Sequence, residues 1–108
     1  MHTTIVRYKV KPDRADENKA LIHRVFEEIE SNKPDGLRYV AFNLADDVSF
    51  VHVAVVESTA DDNPLQQVAA FREFTDKIAN RCDEAPVAST AEIVGSYRLF
   101  WQKFSGPA

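Results

Sequence analysis

Apolar and polar positions alternate most regularly between Leu37 and Glu57, which predicts two strands joined at the acidic pair Asp46-Asp47. A strand sends successive side chains to opposite faces. In the second strand Phe50, Ala54 and Val56 point one way and Val51, Val53 and Val55 the other, so both faces are apolar. A sheet of that kind needs cover on both sides.

The flanking segments supply the rest of the pattern. Thr3 to Lys11 alternates as a first strand, with Val6, Tyr8 and Val10 on one face. Pro12-Asp13 stops it, and Asp13 is placed to accept from the first amides of a helix. Leu21, Ile22, Val25, Phe26 and Ile29 form an apolar stripe along that helix, which ends before Pro34. His23 falls off the stripe and is expected in solvent. Asn63-Pro64-Leu65-Gln66 predicts a second helix start, with Asn63 as cap and Val68, Phe71, Phe74 and Ile78 as its buried face. Arg72 with Asp76, and Glu73 with Lys77, have the spacing of surface ion pairs.

Pro86 is expected in a loop after Cys82. A last strand is expected from Ala91 to Lys103, with Ile93, Tyr97, Leu99 and Trp101 on one face. Gly95 within it suggests a bulge or a close backbone approach. Residues 1–104 read as one domain and Ser105–Ala108 as a short tail. Two helices are enough for one sheet face, so a second copy of the chain is expected to cover the other.

Composition narrows the partners. The chain has 108 residues and a net charge of −4, and no basic stripe suited to nucleic acid or an anionic membrane surface. Cys82 is the single cysteine, which rules out an intrachain disulfide and an iron–sulfur ferredoxin site and fits a reducing compartment. The start lacks the apolar core of a signal peptide, and no run approaches the ~18 apolar residues of a membrane span. The expectation is a cytoplasmic protein.

A two-residue turn at Asp46-Asp47 sets a hairpin register with Asn43 opposite Phe50, Ala41 opposite His52 and Tyr39 opposite Ala54. One face then carries Leu37, Tyr39, Ala41, Asn43, Phe50, His52, Ala54 and Val56. Two alanines leave room there, and Tyr39, Asn43 and His52 place polar tips in an apolar surface, the material of a small-molecule pocket. The plainer alternative for His52 is a buried histidine hydrogen-bonded to a neighbour.

The element order is strand, helix, strand, strand, helix, strand, the βαββαβ arrangement of ferredoxin-like α+β folds. With Pro34-Asp35-Gly36-Leu37-Arg38-Tyr39 entering the second strand, Phe50–Glu57 as the third, and Ala70-Phe71-Arg72-Glu73-Phe74 in the second helix, the chain resembles the dimeric α+β barrel superfamily, in its antibiotic-biosynthesis-monooxygenase-like branch. The resemblance implies a four-stranded antiparallel sheet with two helices on one face, in a homodimer. For members that are enzymes it implies oxygenation of electron-rich aromatic substrates without metal or flavin. On that model His52 is the general base, its ordinary pKa near ~6.5 suiting the task. Tyr39 and Asn43 hold the substrate's oxygens, and Phe50 and Phe71 supply apolar walls. Ala54 and Val56 stand where such proteins often carry Glu and Trp, and Leu65–Arg81 lacks the histidine used by haem-degrading relatives. Two functions follow: a small-molecule-binding protein without catalysis, or a cofactor-independent monooxygenase acting on a phenol- or quinol-like aromatic. RNA binding, which uses the same element order, needs exposed aromatic and basic residues that these strands lack.

Overall fold

The structure, a computed structural model, describes residues 2–57 and 63–99. Strand β1 (His2–Val10) runs through a 3-10 turn at Pro12–Arg14 into helix α1 (Ala15–Asn32). Asp13 makes no capping hydrogen bond. The turn's own backbone starts the winding instead, with the Arg14 amide donating to the Lys11 carbonyl at 2.8 Å. The predicted stripe faces the core: Ile22 and Val25 are buried, and Leu21, Phe26 and Ile29 are half-buried. Lys33 turns the chain in the left-handed region, its amide donating to the Ile29 carbonyl at 2.7 Å.

Strands β2 (Leu37–Asn43) and β3 (Ser49–Val56) pair in the predicted register. The turn is longer than expected. Leu44 donates to the Ser49 carbonyl at 2.9 Å and Ala45–Val48 form a four-residue loop. Asp46 holds this loop by accepting from the amides of Val48 and Ser49, while Asp47 takes φ 70°. One residue is lost from each strand equally, so every pairing outside the loop survives.

A single helix from Asn63 was expected, but the chain breaks twice. Asn63 does cap, accepting from the Leu65 amide at 2.9 Å, but only a 3-10 turn at Pro64–Gln67 follows. Val68 is extended and buried, and helix α2 spans Ala69–Thr75. Its first amides, Ala69 and Ala70, donate to the Glu28 carboxylate of α1 at 3.0 and 2.9 Å, a cap supplied from another helix. Lys77 is left-handed (φ 62°), and one further turn, α3 (Ile78–Arg81), completes the segment. The Asp76 amide still closes the last turn on the Arg72 carbonyl at 2.9 Å, but neither expected ion pair, Arg72 with Asp76 or Glu73 with Lys77, forms. Arg72 donates to the Gln66 carbonyl, and Glu73 meets Arg24 of α1 at 3.2 Å.

The last strand is displaced from its predicted position. Strand β4 is Cys82–Ala91, and residues 92–99 form no strand. Pro86 therefore lies inside β4 rather than in a loop. The strand is at the sheet edge, and its register against β1 slips between Arg7/Val87 and Lys9/Glu84, beside the proline that lacks a ladder donor. The bulge falls there and not at Gly95, where an added Cβ would meet nothing within 4 Å. Trp101 and the expected tail Ser105–Ala108 lie outside the described residues.

The sheet order is β2-β3-β1-β4 with every neighbouring pair antiparallel, and the helices pack on one face. This is a ferredoxin-like α+β fold. On the helix-covered face Tyr8, Val10, Phe50, Val68 and Phe74 form the core with α1. The opposite face leaves Val40, Phe42, Leu44 and Val87 exposed, Phe42 by 50%. No described helix is long and apolar enough to cross a membrane.

Candidate functional site

His52 sits on β3 between β1 and β2, directly opposite Val6 and Ala41. Its diagonal neighbours on that face are Tyr8 of β1, paired with Phe50, and Tyr39 of β2, paired with Ala54. Diagonal positions on an antiparallel sheet lie within reach of aromatic side chains. Here both are tyrosines, displaced toward opposite ends of the strands, so one hydroxyl arrives at each ring nitrogen. Tyr8 Oη is 2.8 Å from His52 Nε2 and Tyr39 Oη is 2.6 Å from His52 Nδ1.

Aromatic packing holds the three rings. Tyr8 stacks on Phe50 with centroids 5.4 Å apart, Tyr39 on Phe26 at 5.0 Å, and His52 on Phe74 at 5.4 Å. Phe71 meets the Tyr39 ring edge-on at 6.3 Å.

Polar contacts continue away from the sheet. Asn18 of α1, fully buried, places Nδ2 2.9 Å from Tyr8 Oη. Arg81 of α3 lies 3.1 Å through Nε from Asn18 Oδ1, donates to the Phe74 carbonyl at 2.7 Å, and covers the Phe74 ring at 5.2 Å. Five side chains from β1, α1, β2, β3 and α3 thus form one connected chain: Arg81, Asn18, Tyr8, His52, Tyr39.

Burial sets the ionisation. It pulls the His52 imidazolium down to about 4, so the ring is neutral at neutral pH. Burial likewise pushes the phenols of Tyr8 and Tyr39 well above their ordinary value. At Tyr8 the Asn18 hydrogen bond and the Arg81 charge oppose that rise without cancelling it. Among the described residues no charged group offsets the ring's loss of water, whereas a base working at neutral pH would use a value nearer the ordinary one.

A cavity of about 220 Å³ opens beside this chain. Val6, Ala54, Leu65, Phe71, Phe74 and Ile78 supply apolar wall, and Tyr8, Tyr39 and His52 form its main polar corner. Of the residues singled out from sequence, Tyr39, His52 and Phe71 meet at this cavity. Asn43 lies outside it, its amide donating to the carbonyls of Asp47 and Ser49 at 3.1 and 3.3 Å. Phe50 also lies outside, buried behind Tyr8. His23 is exposed. Cys82 is half-buried, with its thiol pushed up by burial.

Tyr8, Asn18 and Arg81 were not picked out as site residues, yet a signal was present for two of them. Asn18 is four and seven residues before Ile22 and Val25 on α1, and Arg81 is seven after Phe74 on the single helix that the sequence predicts. Both are polar groups at positions of a buried stripe, which require partners. Among the described residues no three His, Cys, Asp or Glu side chains converge to hold a metal ion.

No family model matches the sequence, and no curated protein does. Solved structures do match. A Nitrosomonas europaea protein provisionally named an antibiotic biosynthesis monooxygenase is similar at TM-score 0.72 and 20% identity, over 88% of this chain and 100% of that one. Rv0793 from Mycobacterium tuberculosis is similar at TM-score 0.69 and 15% identity, over 88% of this chain and 96% of that one. SnoaB, a cofactor-independent oxygenase from Streptomyces nogalater, is similar at TM-score 0.62 and 15% identity, over 88% and 94%. Another similar structure is of a protein of unknown function. At these identities the likeness shows a shared fold: the chain has the ferredoxin-like α+β fold of these structures, among them proteins named as antibiotic biosynthesis monooxygenases.

Proposed function

We propose that this protein binds a small aromatic molecule in the cavity beside His52. The observation that carries this is the cavity itself: about 220 Å³, walled mainly by apolar side chains, with the Tyr8 and Tyr39 hydroxyls and the His52 imidazole gathered at one corner. A cavity of ~150 Å³ accepts benzene, and drug-sized ligands occupy ~300–1,000 Å³. The volume here fits one or two rings. Calorimetric titration of the full chain with one- and two-ring phenols and ketones tests the proposal. Saturable binding supports it, and no heat from any of them at millimolar concentration defeats it.

The protein is proposed to act as a homodimer. Val40, Phe42, Leu44 and Val87 form an apolar sheet face with none of the described helices over it, and Val94, Tyr97 and Leu99 after β4 are 93%, 79% and 68% exposed. Two unburied apolar surfaces on one protomer are what a second copy would cover.

The second reading is a cofactor-independent monooxygenase acting on a phenol or quinol. Its support is the fold shared with SnoaB and the hydroxyl at the cavity corner, which would stabilise a substrate oxyanion. It ranks behind binding alone because both His52 nitrogens are engaged and its basicity is low. Oxygen uptake with a quinol panel, lost in His52→Ala, would promote it. No uptake would retire it.

A further inference from the structure

We propose that Asn18 sets the direction of the hydrogen-bond chain, and that the chain thereby makes the Tyr39 hydroxyl a fixed donor selecting ligands with an acceptor-only oxygen: ketone, quinone or phenolate. The inference rests on the cavity being a ligand site.

The direction is set at the far end. A guanidinium can only donate. Arg81 is 4% exposed and spends its donors on Asn18 Oδ1 and the Phe74 carbonyl, with no described carboxylate paired to it. Asn18 must therefore turn its carbonyl oxygen to Arg81 and its amide nitrogen to Tyr8, which fixes a side-chain flip that the heavy atoms alone leave open.

The Tyr8 oxygen is then an acceptor, and its own proton has one acceptor in reach, His52 Nε2. A neutral imidazole that accepts at Nε2 carries its proton on Nδ1. That proton goes to the Tyr39 oxygen. The last proton in the series, on Tyr39 itself, finds no acceptor among the described residues and borders the cavity. Running the chain backwards would leave the Tyr8 proton in the core without an acceptor, since Asn18 and His52 would both be donating to the same oxygen.

A ligand thus meets a hydroxyl that has already accepted one bond and has a proton to give. Asn18 does not line the cavity and acts through three other side chains, so it is a positioning residue. Tyr39 is the group that touches the ligand.

Asn18→Asp reverses the device with almost no change in shape. Held ionised by Arg81, the carboxylate accepts from both sides. Tyr8 then donates to it, His52 donates from Nε2 to Tyr8, and Tyr39 donates to Nδ1, leaving only a lone pair for the cavity. The tautomer of His52 in the full-length protein is read by long-range proton–nitrogen NMR. We expect Nδ1–H in the natural chain and Nε2–H in Asn18→Asp. Nε2–H in the natural chain overturns the inference, with or without any ligand.

Selection is read with 1-indanone, a two-ring ketone, and indane, its oxygen-free counterpart. The ratio of their affinities should fall about tenfold in both Tyr39→Phe and Asn18→Asp, mainly through weaker indanone binding. If Asn18→Asp does not fold, the natural tautomer and the Tyr39→Phe ratio decide. Both compounds binding with an unchanged ratio in Tyr39→Phe overturns the inference and leaves the cavity reading standing. Neither compound binding the natural protein at millimolar concentration overturns the cavity reading, and ligand selection with it.

Discussion

The Tyr39 hydroxyl and His52 Nδ1 lie 2.6 Å apart across neighbouring strands, in a region where His52 is 5% exposed. Removing the hydroxyl leaves a buried ring N–H without its partner. Tyr39→Phe is expected to lower stability by about 1–3 kcal/mol, as far as water cannot enter from the cavity to replace it. Urea denaturation measures this, and an unchanged midpoint would mean the bond contributes nothing in solution.

The neutral state of His52 makes stability depend on pH. Its folded pKa, about 4, lies below the ordinary 6.5, so between these values the unfolded chain binds a proton that the folded chain does not. Stability is complete above about 6.5 and falls as pH drops toward 4. The single-group limit is about 3 kcal/mol over the whole interval. Comparing denaturation at pH 7.5 and pH 5 in the natural chain and in His52→Gln isolates the effect. The variant should lose distinctly less, and equal losses would place the titration elsewhere.

Ala54 stands opposite Tyr39 and lines the cavity. Ala54→Leu fills space that the fold leaves empty, so the overpacking cost of ~1–3 kcal/mol for a well-filled core should not appear in full. Ligand affinity should drop at least tenfold while circular dichroism stays the same. A ligand that still binds Ala54→Leu normally is bound somewhere else.

Phe42 is 50% exposed on the open sheet face, well away from the cavity. If that face is the dimer interface, Phe42→Glu places two carboxylates in it and shifts the chain toward a monomer, with folding intact. Sedimentation velocity at low micromolar concentration reads both states. A natural chain that already sediments as a 12.2 kDa species removes the dimer proposal.

Much of the site was legible from the chain alone, and for a local reason. Register in a hairpin depends on the residues that form it, so the alternation from Leu37 to Glu57 placed Tyr39 and His52 on one face even though the turn was misjudged by one residue on each side. The stripe from Leu21 to Ile29 likewise needs nothing beyond helical spacing. Asn63 as a cap is local too.

Tertiary structure decided what depends on distant partners. The last strand could not be found by alternation, because Cys82–Ala91 is an edge strand of mostly small, exposed residues whose place is set by pairing with β1. The break at Val68 depends on Glu28, 41 residues away from Ala69, accepting the freed amides. Above all, the sequence put Tyr8 on a strand face, but only the strand order sets β1 beside β3 and brings that hydroxyl to His52. Asn18 and Arg81 then reach it from α1 and α3. A period of two or of 3.6 tells which way a side chain points, whereas a buried polar group is defined by whom it meets, and that is settled only when strands and helices come together.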